Sequence, residues 1–559
     1  MVPPIEATAS FSPSPERHNQ PLVPEDLAVH DLWHYDRHLP SSLFEGVAAR
    51  RDLKIFPDGK SIVDARPLYS LGHLISLYGQ ALEQPGFSPT RFFTEHFSLP
   101  DYTVPEIQSG RPRIPLDKYI SETWSLLTYD APDNNGSLIG SPNPTLKPGE
   151  RFGEAYYWDL LEGARGLLTE AANDDRAGKN HESAQKEKLV RGVADNLAYQ
   201  IETEGYISNG RRTYYQGRSQ TPVFVEIVKT MQEHFGKMDP GITQIYLPQL
   251  EKEYAWWNSG ERIVRLEDYH GRVHYLNRHW DANDTPRPES YQEDIETANR
   301  AYGRPKNEVY RHIRAAAETG RDFTARLLAD PRRLETIHTT DFIPLELNAQ
   351  LYLYETEIAK AHLAAGRINR ARHYNTLAAE RKRAIDTFLW NEAAGGYFDY
   401  DFVAGQQSEI KSMGMAYMVA AGASSKSQSE RVAGVLKTDL LKRGGFAATL
   451  ADSTQQWDGM PDEHGDKKNG WPIDQVKGIQ ALEIAGEKRT ALMAAFRWLS
   501  LNRRIYRAAG VMVEKSEVVQ LSCGGGGEYA RAQKGFLWSN GVDRYLSDYL
   551  RRQMIVGNG

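Results

Sequence analysis

Phe224-Val225-Glu226-Ile227-Val228-Lys229-Thr230-Met231-Gln232-Glu233-His234-Phe235 carries apolar residues at 224, 227, 228, 231 and 235. Steps of three and four match the 3.6-residue turn, so the stretch predicts a helix with one buried stripe. The same period recurs on the N-terminal side in Leu189, Val190, Val193, Leu197 and Ile201. On the C-terminal side it returns in Leu247, Leu250, Tyr254 and Trp257, in Leu347, Leu351, Tyr354 and Ile358, and in Tyr374, Leu377, Ile385 and Phe388. These stripes read as core rather than as cofactor boxes. Strand alternation is scarce. It shows between Arg262 and Leu276, broken by His270-Gly271, and at the turn Gly395-Gly396 before Tyr397-Phe398-Asp399-Tyr400. The fold class expected is all-α with a few short hairpins. No internal period and no linker splits the helical body, so residues 51–559 are expected to form one helical domain behind a partly flexible extension at 1–50.

At 559 residues the chain could hold several domains or one large barrel. Hydrophobic residues at 40% and charged residues at 25% describe a globular protein. A net charge of -7 argues against nucleic acid or an anionic membrane as the main partner. The single cysteine, Cys523, excludes an internal disulfide framework and has no motif-supported base. Residues 1–21 lack the basic and apolar regions of a secretory signal, and no run approaches eighteen apolar residues. A cytoplasmic location is thus slightly favoured over a periplasmic one, with a monomer favoured.

Chemistry concentrates elsewhere. Pro148-Gly149-Glu150-Arg151-Phe152-Gly153-Glu154-Ala155-Tyr156-Tyr157-Trp158-Asp159 packs an arginine, three carboxylates and four aromatics together. Sugars reward that mixture, because their C–H faces stack on rings while their hydroxyls need placed donors and acceptors. The competing reading is a helix start with core aromatics and solvated charges. Similar loops follow: Asn209 to Gln220, Arg287-Pro288-Glu289-Ser290-Tyr291, Thr319-Gly320-Arg321-Asp322-Phe323, Gln455-Gln456-Trp457-Asp458-Gly459 with Asn469-Gly470-Trp471-Pro472, and Val513-Glu514-Lys515 followed by Cys523 to Tyr529.

In these blocks, and in their order, the chain resembles the trehalases of glycoside hydrolase family 37. The first signature lies at 148–159 and the second, Gln-Trp-Asp, at 456–458, with similarity running from about Phe56 to about Val542. The resemblance implies an (α/α)6 toroid with a loop-built pocket at one end, and hydrolysis of α,α-trehalose to two glucoses with inversion. It implies Asp322 as general acid and Glu514 as general base. It also implies sugar contacts from Arg151, Trp158, Asp159, Asn209, Arg218, Ser219, Gln220, Arg287, Glu289, Gly320 and Glu528. No cofactor and no metal are expected. Inversion needs two carboxyl groups roughly 6.5–9.5 Å apart, one to protonate the leaving oxygen and one to activate water on the opposite face.

Several positions depart from the family pattern. Arg321 stands where a tryptophan usually precedes the acid, and a guanidinium facing Asp322 would depress its pKa, the wrong direction for a proton donor. Ser516-Glu517 replaces an aromatic and Asp after the base. Met460 to Lys468 interrupts the second signature and reads as a solvated loop, and Phe446-Ala447-Ala448-Thr449 replaces a more polar segment. Two alternatives therefore stay open: an inverting glycosidase for another α-linked disaccharide, an anionic one that Arg321 would pair with, and a sugar-binding homologue without catalysis. Gly524 to Gly527 reads as a flexible lid that would carry Glu528. His30, His34 and His38 have one-face spacing, yet they lie outside the matched region and a metal role is not favoured.

Overall fold

The computed structural model describes residues 59–99, 114–149, 151–236, 241–459, 466–525 and 535–557. The histidines at 30, 34 and 38, Glu528, and the expected boundary between residues 50 and 51 lie outside the described residues. The chain divides into two compact units, Met1–Pro100 with Asn135–Ser137, and Asp101–Asn134 with Leu138–Gly559. In the first, the helices Gly59–Val63, Leu71–Leu82 and Pro89–His96 accompany a strand pair, with Phe93 stacked on Phe97 at 4.4 Å.

The second unit is a toroid of paired helices. Six helices form an inner ring: Asp159–Arg176, Phe224–Phe235, Leu345–Ala364, Gly414–Ala420, Pro472–Ile484 and Leu537–Gly557. Each packs on the next and the last packs on the first. An outer layer comprises Leu116–Leu127, Asn180–Glu204, Ile242–Trp257, Ile368–Phe388, Lys426–Val435 and Lys488–Ala509. Both the (α/α)6 expectation and the helix readings from the apolar stripes hold, as do the hairpin Ile263–Glu267 with Val273–Asn277 and the turn at Gly395.

Burial explains the layering. Every residue from Asp159 to Ala171 is buried, as expected of a helix enclosed on all sides, whereas the outer helix Lys488–Ala509 alternates buried and exposed faces. Ring closure depends on glycine. A Cβ on Gly541 would sit 2.0 Å from the Glu162 carbonyl oxygen, and one on Gly166 would sit 2.4 Å from Gly541 Cα. The first and last inner helices thus meet backbone to backbone.

Both signatures lead directly into inner helices, with Trp158 at the start of Asp159–Arg176 and Trp471 at the start of Pro472–Ile484. Asn469–Gly470 pairs with Ser516–Glu517, which pairs in turn with Ser522–Cys523. This small antiparallel sheet sets the second signature beside the segment carrying Glu514.

Candidate active site

Four buried indoles form the floor. Trp457 and Trp471 stack at 3.8 Å and 11°, Trp158 lies 5.6 Å from Trp457, and Trp538 meets Trp158 and Trp471 edge-on at 6.0 and 5.7 Å. Gly320, at φ +72°, caps the helix Lys306–Thr319 against this floor. A Cβ there would come within 2.6 Å of Trp158 Cζ2, so both the left-handed turn and the indole demand glycine.

Asp322 follows directly. Its side chain is 36% exposed, and its nearest cation is Arg287, with Nη1 3.7 Å from Oδ2. Burial pushes the Asp322 carboxyl up to about 6, against the opposing pull of Arg287 and Arg218.

Arg321 does not face Asp322. Its guanidinium turns to two inner helices, donating to Asp474 at 2.8 and 3.1 Å and to the Tyr417 hydroxyl at 3.1 Å. Its Nε lies 3.1 Å from Glu346, and Trp457 flanks it at 4.7 Å. The arrangement that would depress the Asp322 pKa is therefore not the one adopted: two buried carboxylates, rather than solvent, take up that cation. The motive for an anionic disaccharide goes with it.

The arginines that remain are fixed by carboxylates. Arg287 donates three side-chain hydrogen bonds to Asp294, at 2.8, 3.1 and 3.2 Å. Arg218, fully buried, donates to Glu289 at 2.5 Å and to Asp281 at 3.4 Å. Burial opposes ionisation of Glu289, but Arg218, Arg287 and Arg314 outweigh it and hold its carboxyl below the usual range.

Glu514 stands on a segment pinned by the last inner helix: Trp538 Nε1 donates to its carbonyl at 2.8 Å, and Ser539 Oγ to the Val513 carbonyl at 2.5 Å. Its Oε2 lies 3.6 Å from Lys515 Nζ. Asp159 is the neighbouring acid. Burial first, and the charge of Glu514 second, hold the Asp159 carboxyl well above the ordinary range. Among the described residues, Asp159 Oδ1, Glu289 Oε2, Glu514 Oε2 and Arg218 Nε are all buried with no hydrogen-bond partner. Buried polar atoms are rarely left so, and these four sit on residues expected at one site.

A family model for trehalases matches residues 93–550. The chain belongs to the trehalase family. It is thereby a glycoside hydrolase. It is 36% identical over 516 residues to a periplasmic trehalase of Citrobacter koseri, covering 89% of this chain and 84% of that protein. It is 35% identical over 516 residues to one of Escherichia coli, covering 89% and 85%. Among solved structures, the neutral trehalase of Saccharomyces cerevisiae superposes with a TM-score of 0.59 at 20% identity, over 78% of this chain and 80% of that one, a likeness of fold.

Within this trehalase frame the expected residues are brought together to different degrees. Trp158 N donates to Gln220 Oε1 at 3.0 Å, Tyr157 N to the Asn209 carbonyl, and Asn209 N to the Arg218 carbonyl. Ser219 is wholly buried, its N–H donating to Glu318 at 2.9 Å. Arg151 is half-buried, its guanidinium carbon 5.8 Å over the Phe152 ring. The first signature also turns out to be half structural. Glu154 accepts from Arg212 at 3.1 Å, and the Tyr157 hydroxyl donates to Glu253 while accepting from Val223 N and Phe224 N.

The second signature is structural at its acid. Asp458 accepts from Thr324 Oγ1, Ala325 N, Thr449 Oγ1 and Ser453 Oγ at 2.7–2.8 Å, clamping the segment that leaves Asp322 to the 449–458 loop. Thr449, in the substituted 446–449 segment, is one of those four donors. In the inserted stretch Asp466 is exposed, whereas Lys468 at its end is buried with Nζ 2.8 Å from the Ala451 carbonyl; residues 460–465 lie outside the described residues. Asp294, Asp281, Asp474 and Lys515 are the residues that sequence reading gave no role. Only Lys515 had a signal, as the neighbour of Glu514.

Proposed function

We propose that this trehalase-family enzyme hydrolyses α,α-trehalose to two glucoses with inversion, Asp322 acting as general acid and Glu514 as general base. Asp322, lifted to about 6, holds its proton at mildly acidic pH and gives it to the glycosidic oxygen as the C–O bond breaks. Glu514 takes a proton from the water whose oxygen attacks the anomeric carbon on the opposite face. The supporting observation is the set of buried oxygens on Asp159, Glu289 and Glu514 that accept no hydrogen bond among the described residues, which sugar hydroxyls and the attacking water would satisfy.

Arg287 and Arg218 then serve twice, holding the acid loop and offering donors to the sugar ring. Arg151, Trp158, Asp159, Asn209, Ser219, Gln220, Glu289 and Gly320 complete the pocket in this reading, with Glu528 assigned from the motif alone. The compartment we favour is the periplasm, as the names of the relatives from Citrobacter koseri and Escherichia coli indicate, rather than the cytoplasm suggested by residues 1–21. A monomer remains our expectation.

Glucose release by the purified chain across a panel of α-linked disaccharides tests the substrate. Preferential turnover of trehalose supports the reading, and turnover of another disaccharide in its place overturns it.

A further inference from the structure

The two carboxyl groups sit on segments far apart in sequence, yet one side chain joins them. Gln456 Nε2 donates to the Asp322 carbonyl oxygen, and Gln456 Oε1 accepts from Lys515 Nζ at 2.9 Å. An ammonium only donates and a carbonyl only accepts, so a single orientation of the amide satisfies both. Lys515 Nζ in turn lies 3.6 Å from Glu514 Oε2. The lysine side chain is 0% exposed and its nitrogen sits 4.8 Å above the Trp471 ring, so neither water nor salt screens the charge.

Neighbouring residues hold this bridge in place. Asn469 Nδ2 donates to the Gln456 carbonyl at 2.6 Å and to the Gly525 carbonyl at 2.7 Å. A Cβ on Gly524 would meet Lys515 Cγ at 2.7 Å, so only glycine there leaves the lysine undisturbed. This gives the Asn469-Gly470-Trp471 block and the first glycines of the run a shared purpose beyond packing.

From this geometry we propose that Gln456 and Lys515 are positioning residues, a hydrogen-bonded bridge that fixes Asp322 relative to Glu514 and places one buried cation between them. The proposal rests on reading those two carboxyl groups as acid and base. Among the described residues, the charged groups around Glu514 are Lys515 and Asp159; those around Asp322 are Arg287, Arg218, Glu289 and Lys515. Removing the lysine charge therefore takes a nearby buried cation from both carboxylates. Both limbs of the activity profile should move up together.

The test is the pH dependence of kcat and kcat/KM on trehalose for the full chain and for Lys515→Met, Lys515→Arg and Gln456→Ala, with Asp322→Asn and Glu514→Gln beside them. Lys515→Met should lose about tenfold or more in kcat and shift both limbs upward by about one pH unit. Lys515→Arg should keep the limbs in place, and Gln456→Ala should lower kcat with the limbs unmoved. Lys515→Met active within about twofold of the parent with unmoved limbs overturns the proposal. So does Lys515→Arg with limbs displaced upward, a result available even if the methionine variant fails to fold. If Asp322→Asn or Glu514→Gln retains turnover, the acid and base reading falls first; if both are inactive while Lys515→Met is unchanged, the bridge alone falls.

Discussion

Arg321 Nη2 lies 2.8 Å from Asp474 Oδ1, so the cation adjacent in sequence to Asp322 is paired instead with a carboxylate of an inner helix. Glu346, shared between Arg321 and Arg326, extends the ionic cluster to a second inner helix, and Arg326 carries it on to Asp399. A position that the family usually fills with an indole is here a buried anchor between the acid loop and the inner ring.

Breaking that anchor on one side should be costly. Arg321→Met leaves Asp474 with the Tyr417 hydroxyl as its remaining side-chain partner, and an uncompensated buried charge costs about 3–5 kcal/mol. The urea midpoint should fall accordingly, and Arg321→Met/Asp474→Asn should recover part of the loss. Equal midpoints for the single variant and the parent would contradict the buried pairing.

Ring closure gives a second stability prediction. Gly541→Ala forces a methyl against the Glu162 carbonyl at a backbone crossing that cannot yield like a flexible side chain. Overpacking of this kind costs typically 1–3 kcal/mol. A lower midpoint at an unchanged slope of the denaturation curve is expected, whereas Gly525→Ala, whose Cβ would meet nothing within 4 Å among the described residues, should leave the midpoint in place.

Acid should unfold the protein through its buried carboxylates. Burial alone would raise Glu318, but Arg262 and His279 outweigh it and hold its carboxyl at about 2. Because the folded pKa lies below the unfolded value near 4.5, the stabilisation is fully present above about pH 4.5 and is lost as pH falls toward 2. Glu226, at about 2 between Lys477 and Arg165 in a buried site, behaves alike. Melting temperature should drop steeply below about pH 4.5, and less steeply in Glu318→Gln. A flat profile down to pH 3 would contradict this.

Activity should carry the opposite signature. Asp322 must be protonated in the free enzyme, so kcat/KM should fall on the alkaline side with a midpoint near pH 6. A profile flat from pH 5 to 8 would remove Asp322 from the role of acid.

The helices were legible in sequence because their apolar spacing is local: Phe224 to Phe235 needs no distant partner to be read. The pocket was legible only as a set of motif-bearing loops. What those loops do depends on partners that no spacing announces. Arg321 meets Asp474 across 153 positions and Thr324 meets Asp458 across 134, so Arg321 read as a threat to the acid and the Asp458 clamp went unseen. Glu154 and Tyr157, in the block richest in sugar-like chemistry, proved to be held by Arg212 and Glu253, since buried polar residues and ligand-binding ones share a composition.

The most direct measurement is proton NMR of trehalose hydrolysis at mildly acidic pH, recorded before the sugars mutarotate, on the parent chain and on Asp322→Asn and Glu514→Gln. The account predicts α- and β-glucose appearing in equal amounts from the first spectra, with both substitutions abolishing release. Appearance of α-glucose alone, or full activity in either variant, would contradict inversion by this pair of carboxyl groups.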